Sequence, residues 1–253
     1  MVHYEAKRIN NFSSVPFIII FIIFSFCLFF VGNLQAGDTD RLIQQLRSRN
    51  PAIRIEAAQK LGELKDPLAV NPLITTLKKD KDGHVRASAE DALVNIGAPA
   101  VEPLTVMLKD NAWRVRRRAV RTLGKIKDPR ALEPLVAVMK MDKDCYVRKF
   151  AALAIGETND PWVGEILIPS LKDKNLEVVE GAYRFFIRKG EPGSEDILIE
   201  ILDRGSWNRR MVMDFLNCGN NQLEKAASEC AKKRSYPITS TPDPKAPKWG
   251  QAI

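Results

Sequence analysis

Apolar residues recur along the chain in ten-residue windows that repeat at steps of 30 to 32 residues. Each window has apolar or small residues at its first, fifth and eighth or ninth positions, which is the spacing of one helix face. Five of the six windows follow an Asn, Asp or Ser placed to cap a helix N-terminus. The pattern therefore predicts six first helices, called A helices, whose windows begin at Ile53, Val85, Val115, Val147, Val178 and Arg209.

A proline-containing break follows each of the first four A helices, as at Asp66-Pro67 and Asp128-Pro129. Proline suits the first turn of a helix, so a second helix, called B, is predicted after each break. Residues 38–49 and 220–233 indicate further B helices at the two ends, and Pro169 predicts an irregularity inside one B helix. A fixed period of helix pairs predicts an all-α, right-handed α-solenoid of about six two-helix repeats.

The motif DxxVRxxAAxxLGxIxDPxAxxPLxxxLKD is visible over residues 82–110 and 111–142. It resembles HEAT repeats, in particular the short type of phycobilisome-lyase-like HEAT proteins, over about residues 38–233. The resemblance implies an armadillo/HEAT-like fold. Members of that family usually bind other proteins, and a few are enzymes or chromophore lyases. The last two repeats depart from the motif, for example where Val179 replaces the repeat arginine, and are expected to cap the stack.

The first 36 residues are predicted to be a signal peptide or an N-terminal membrane anchor. Basic residues precede the apolar run at 17–31, and a candidate cleavage site follows Ala36. The anchor is the alternative, although fifteen helical residues span only about 22 Å of a roughly 30 Å hydrocarbon core. The positive-inside rule keeps the N-terminus cytoplasmic. Both interpretations predict export, with the solenoid at 37–234 periplasmic or anchored on the outer side of the membrane.

The C-terminal residues 235–253 contain four prolines and few apolar side chains. This composition predicts a Pro-rich disordered tail. A short contact through Trp249 is the alternative.

Residue types that commonly carry catalysis are scarce. The chain has two histidines, His3 and His84, and the spacing of Cys145, Cys218 and Cys230 fits neither a disulfide framework nor a zinc site. No glycine-rich phosphate loop or nucleophile elbow is present. The sequence therefore predicts no catalytic residue, cofactor or metal, and no enzymatic activity. A lyase role ranks below the binding roles, although no simple motif defines such lyases.

The net charge of +8 favours an acidic partner. Every clearly exposed position of the third A helix is basic, unlike the equivalent positions in the first two repeats. Apolar residues occupy matching positions of the next A helix, about 10 Å along the stack. We call these candidate partner-binding residues the basic–aromatic face: Arg114, Arg117, Arg118, Arg121, Lys125, Tyr146, Phe150 and Leu153. A merely solvated basic face is the alternative.

Four arginines at one repeat position, Arg54, Arg86, Arg116 and Arg148, are expected to be structural and to pair with carboxylates or carbonyls between layers. The whole sequence predicts a non-enzymatic protein–protein interaction scaffold, exported or membrane-anchored, whose partner is another protein with an acidic surface. One alternative is contact of the basic face with an anionic membrane. Another is nucleic-acid binding, should the chain not be exported.

Overall fold

The computed structural model describes residues 37–158, 160–190, 193–203, 209–236 and 247–251, and the regular secondary structure within these ranges is helical. The even-numbered helices below are the predicted A helices and the odd-numbered ones the predicted B helices. The predicted all-α solenoid is confirmed. The helices are α1 (37–45), α2 (Pro51–Leu64), α3 (Val70–Lys79), α4 (Gly83–Ile96), α5 (Val101–Met107), α6 (Trp113–Ile126), α7 (Leu132–Met141), α8 (Cys145–Gly156), α9 (Val163–Leu171), α10 (Leu176–Lys189), α11 (Glu195–Asp203), α12 (Arg209–Leu216) and α13 (Asn221–Lys233).

Side-chain caps start most A helices where the sequence predicts them. The Asp82 carboxylate accepts hydrogen bonds from the amides of His84 and Val85 at 2.7 and 3.2 Å. Ala112 supplies no such cap to α6. The prolines of the breaks begin a short 3-10 turn, as in Pro67–Ala69, and the B helix follows it. The breaks are therefore a capped turn plus a helix rather than a helix that starts at the proline.

Successive A helices pack directly on each other, α2 on α4, α6 on α8 and α8 on α10. The fifth and ninth window positions face the core, as Ala119 and Leu123 of α6 show by being fully buried. Small residues let the A helices approach closely, because a Cβ on Gly124 would lie 2.6 Å from the Cβ of Ala154. The repeat glycine is thus a packing requirement between neighbouring layers.

A buried polar group joins α10 to α12 near the C-terminal end of the stack. The Asp214 carboxylate accepts hydrogen bonds from the Tyr183 hydroxyl at 2.6 Å and from Arg184 Nη2 at 2.8 Å. Burial raises the pKa of Tyr183, so its hydroxyl stays protonated and donates. The atypical repeats therefore carry their own polar connection in place of the repeat arginine.

Residues 247–251 of the predicted tail pack against the ends of α10 and α12. The Trp249 amide donates to the carbonyl of Cys218 at 2.7 Å, and the Gly250 amide donates to that of Ile187 at 3.0 Å. Gly190, with φ of 62°, lies beneath this segment, and a Cβ there would lie 2.6 Å from Gly250 Cα. A half-buried indole and helix-end carbonyls hold this segment, which belongs to the tail that the sequence predicts to be disordered. Residues 237–246 lie outside the described ranges.

Among the described residues, no helix has the length and apolar character needed to cross a membrane. The apolar run at 17–31 lies outside these residues.

Candidate ligand- and partner-binding face

The four repeat arginines form a row that we call the arginine ladder. Arg116 Nε and Nη2 each donate to the Asp142 carboxylate at 2.7 Å. Its Nη1 donates to the carbonyls of Asp110 and Asn111 at 2.9 and 3.0 Å. Burial opposes ionisation of the Asp142 carboxyl, but the hydrogen bonds from Arg116 and the Asp144 amide, together with the charges of Arg116 and Arg148, outweigh it and lower the pKa of that carboxyl. The same bidentate pairing joins Arg54 to Asp80 and Arg148 to Asp173.

Arg86 departs from this pattern. Its Nη1 donates to the carbonyls of Asp80 and Lys81 at 2.8 and 2.9 Å, but no carboxylate among the described residues pairs with its guanidinium. The equivalent acid, Asp110, follows a B helix of 7 residues where α3 has 10, and it forms an ion pair with Lys78 instead. The ladder therefore has a gap at Arg86.

The C-terminal half of the basic face is neutralised by α4. Glu90, only 2% exposed, accepts a hydrogen bond from Arg121 Nε at 2.9 Å and lies 2.9 Å from Lys125 Nζ. Burial opposes ionisation of the Glu90 carboxyl, but the hydrogen bonds from Arg121 and Lys125 outweigh it and lower its pKa. Lys125 also pairs with Asp91 at 3.2 Å. Arg121 and Lys125 therefore already bind carboxylates within the chain. They are less available to a ligand than the arginines of the face that have no carboxylate partner among the described residues.

Glu90 was not among the site residues predicted from the sequence. Its window position holds Ala58, Val120 and Ala152 in the first, third and fourth repeats, all of them buried. The sequence did contain a signal, since Glu90 is a charged residue at a window position that is apolar in the other three repeats. Such a residue needs a partner, and the partner here comes from the next A helix.

Arginine and aromatic side chains alternate at the N-terminal half of the face. The guanidinium of Arg117 lies 5.1 Å from the Trp113 ring centroid and 5.5 Å from that of Phe150. Arg114 lies 4.8 Å from the Trp113 ring, and Trp113 stacks on Tyr146 with centroids 6.1 Å apart. The structure thus joins predicted residues from α6 and α8 through Trp113.

The remaining members of the face differ in their surroundings. Tyr146 is 44% exposed, whereas Phe150 and Leu153 are half-buried. Arg118 is half-buried, and no carboxylate among the described residues pairs with it. Burial and the nearby guanidinium groups, that of Arg86 first among them, lower the pKa of Arg118.

A cavity of about 150 Å³ lies between α4 and α6. Its polar lining consists of Arg86 and Glu90 from α4 and of Arg117, Arg118 and Arg121 from α6. Since Glu90 is already shared by Arg121 and Lys125, the other three guanidinium groups give the cavity a net positive charge. The cavity is therefore suited to an anionic group.

The described part of the chain contains no group of three His, Cys, Asp or Glu side chains that could hold a metal ion. His84 is exposed on α4. Cys145, Cys218 and Cys230 are free thiols, and burial raises the pKa of Cys218. The chemistry that the face offers is accordingly the binding of anionic and aromatic groups.

The family model described as HEAT repeats matches residues 39–105 and 91–148, which include the basic–aromatic face up to α8. Together with the stacked helix pairs, this match shows that residues 39–148 are built of HEAT repeats. These repeats are related to those of phycobilisome lyase subunits.

The phycocyanobilin lyase subunit beta of Pseudanabaena tenuis is 30% identical over 145 residues, which cover 56% of this chain and 51% of that protein. The phycocyanin alpha phycocyanobilin lyase CpcF of Synechocystis is 32% identical over 126 residues, with 49% and 58% covered. The solved complex of CpcE and CpcF of phycocyanin lyase from Nostoc is 20% identical, covers 65% of this chain and 99% of that chain, and has a TM-score of 0.43. The chain spans about half the length of the curated relatives it matches.

These relatives overturn two predictions from the sequence. The prediction of a non-enzymatic interaction scaffold is wrong, and so is the prediction of no enzymatic activity, because the relatives are named as lyases. Both predictions rested on the absence of catalytic motifs. That absence does not exclude this kind of lyase, because no short residue motif defines it. The prediction that another protein is the partner agrees with relatives that are named as subunits.

Proposed function

We propose that this chain is a lyase-related subunit that holds a bilin-like ligand on its basic–aromatic face and works together with a protein partner. The observation that carries the proposal is the set of relatives named phycocyanobilin lyases, which share about a third of the aligned residues. The HEAT-repeat match extends through α6 into α8, the two helices that build the face. Six of the eight residues of the face, all except Phe150 and Leu153, lie within the matched repeats.

The side chains of the face suit a bilin in two ways. A bilin is a linear tetrapyrrole with a flat conjugated system and carboxylate groups. Trp113 and Tyr146 offer stacked aromatic surface, and Tyr146 is exposed. Arg114 and Arg117 lie against the same rings and offer guanidinium donors for carboxylates. The ligand would lie across the first turns of α6 and α8.

The protein partner would complete the site. The relatives are named as subunits, and this chain spans about half of their length. In the proposed assembly, a second chain covers the side of the ligand that this face leaves open. We propose an acidic surface on that partner, since Arg114 and Arg117 have aromatic rather than carboxylate contacts among the described residues.

Titration of the full chain with phycocyanobilin, followed by visible absorption and fluorescence, tests the proposal. We expect a saturable spectral change and at least tenfold weaker binding for the double variant Trp113→Ala/Arg117→Ala. Lys140→Ala is the control, because Lys140 is exposed on α7 and lies on a different layer. Equal binding by all three proteins would contradict the placement of the ligand on this face.

Lyase activity needs a separate readout. The chain, phycocyanobilin and the apo-form of phycocyanin alpha are incubated with and without a candidate partner subunit. We expect colour that stays on phycocyanin alpha through denaturing electrophoresis only when both subunits are present. Bilin binding without any such transfer would restrict the role of the chain to that of a bilin carrier.

We also propose that residues 17–31 direct the solenoid across a membrane. The charge asymmetry around this run, basic before it and acidic after it, supports the proposal. Fusion of alkaline phosphatase to the C-terminus reports the side directly, since this enzyme is active only after export. An inactive fusion that is present at full length would contradict export.

A further inference from the structure

The gap in the arginine ladder leaves one arginine without the carboxylate that its equivalents hold. Arg54, Arg116 and Arg148 each bind an aspartate with two N–H groups. Arg86 keeps the contacts to backbone carbonyls that precede its helix, so its side chain follows the same path. What is missing at Arg86 is therefore one carboxylate group.

The unused side of Arg86 faces the cavity between α4 and α6. Gly83 and Arg86 both line this cavity, and a Cβ on Gly83 would lie 3.6 Å from Arg86 Nη2. The absence of a side chain at Gly83 leaves that nitrogen accessible from the cavity. Arg118 lines the same cavity from α6 and has no carboxylate partner among the described residues.

Two guanidinium groups that form no ion pair with a carboxylate among the described residues, those of Arg86 and Arg118, line the same small space. After burial, repulsion by the charge of Arg86 is the largest cause of the lowered pKa of Arg118, as expected for two arginines that line one cavity. Glu90 does not relieve this repulsion, because Arg121 and Lys125 already share its carboxylate. An arrangement that costs stability in the absence of a ligand is typical of a binding site.

We propose that the cavity binds the carboxylate group of a small organic anion between Arg86 and Arg118. The bound carboxylate takes the place that an aspartate fills on the other rungs of the ladder and accepts hydrogen bonds from both guanidinium groups. A volume of about 150 Å³ is sufficient for a carboxylate with a short carbon chain. The ligand is a free short-chain acid or the carboxylate end of a longer molecule. The inference goes beyond the proposed function, since it concerns one chemical group and requires no bilin.

Titration of the full chain with succinate at constant ionic strength tests the site. The arginine Nε–Hε resonances are followed by 1H–15N NMR, with chloride and inorganic phosphate as parallel titrants. We expect saturable shifts at Arg86 and Arg118 with succinate, and at least tenfold weaker binding in Arg118→Met. Lys140→Met, which removes one exposed charge from α7, is expected to bind succinate as the wild type does.

A stability measurement separates loss of the site from loss of the fold. Because Arg118 is half-buried without a carboxylate partner in the described structure, Arg118→Met is expected to raise the melting temperature by about 2 °C while it abolishes binding. Succinate is expected to raise the melting temperature of the wild type but not that of the variant. Shifts that do not saturate, or that are equal in the two methionine variants, would overturn the proposal, as would tighter binding of phosphate than of succinate.

Competition with phycocyanobilin identifies the source of the carboxylate. Displacement of succinate by the bilin would show that the cavity holds the carboxylate end of that longer ligand. Succinate binding that the bilin leaves unchanged would support a free acid as the ligand. The cavity site would then stand even if the titration with bilin failed.

Discussion

Removal of Arg116 provides a quantitative test of the arginine ladder. Arg116→Met deletes four hydrogen bonds, two to the Asp142 carboxylate and two to backbone carbonyls. The side chains of Arg116 and Asp142 are only 7% and 6% exposed, so the carboxylate is left buried with one remaining donor, the amide of Asp144. Breaking a buried pair on one side costs roughly 3–5 kcal/mol, and we expect about 3 kcal/mol here.

Arg86→Met is the matched control for this change. Arg86 occupies the same repeat position and makes the same carbonyl contacts, but it pairs with no carboxylate among the described residues. Its removal orphans no buried charge, and we expect a loss of about 1 kcal/mol. The double variant Arg116→Met/Asp142→Leu is expected to recover most of the lost stability, because it removes the orphaned carboxylate as well.

The destabilisation by Arg116→Met should also depend on pH. In the wild type the pKa of Asp142 is lowered, so the pair contributes stability above the unfolded pKa of about 3.9, and this contribution is lost as the pH falls through the folded pKa. In the variant, only the Asp144 amide and the charge of Arg148 still oppose burial, so we expect the pKa of Asp142 to rise and protonation to relieve the cost. The difference in stability between the two proteins should therefore shrink from pH 7 to pH 4.

Urea unfolding of the full chain, monitored by far-UV circular dichroism, measures these differences. A loss of about 3 kcal/mol corresponds to a shift of about 1–2 M in the midpoint for a protein of this size. Equal losses for Arg116→Met and Arg86→Met would contradict the cost assigned to the unpaired Asp142 carboxylate, because the two variants differ in that buried group. A difference that stays constant between pH 7 and pH 4 would refute it as well.

Two further predictions concern packing. Gly124→Ala places a Cβ 3.0 Å from the Cα of Ala154, so we expect the free energy of unfolding measured in urea to fall by about 1–3 kcal/mol. Gly156→Ala is the control and should be nearly neutral, because its Cβ meets the Phe185 side chain at 3.4 Å. Equal effects of the two variants would contradict the close approach of α6 and α8. Trp249→Ala should release residues 247–251 and raise the hydrogen-exchange rates of their amides, while α2 to α8 keep their protection; unchanged rates would contradict the docking of this segment.

The sequence predicted the helices and their inward faces because these features depend on residues close together in the chain. The 30-to-32-residue period, the caps at Asn50 and Asp82, and the apolar window positions are local patterns with a direct physical meaning. The structural role of Arg116 was also accessible, since a charged residue repeated at one helical position in successive layers must find a counterpart.

The charge state of the candidate face was decided by the tertiary structure. A helical wheel placed Arg121 and Lys125 on the exposed side of α6, but it contained no information on the acids of the neighbouring layer. Glu90 lies 31 residues before Arg121, and only the stacking of α4 on α6 brings the two side chains together. The C-terminal half of the basic face is therefore ion-paired with α4, and only its N-terminal half is available to a ligand.

A solenoid of helix pairs follows from the sequence alone, because periodicity, caps and proline breaks act within one repeat. Which arginines bind a carboxylate depends on the tertiary structure, because the partner lies on another element. Asp110 pairs with Lys78, while Arg86 lines a cavity. Side-chain pairing across layers is set by distances of a few ångströms, and repeat alignment alone does not resolve them.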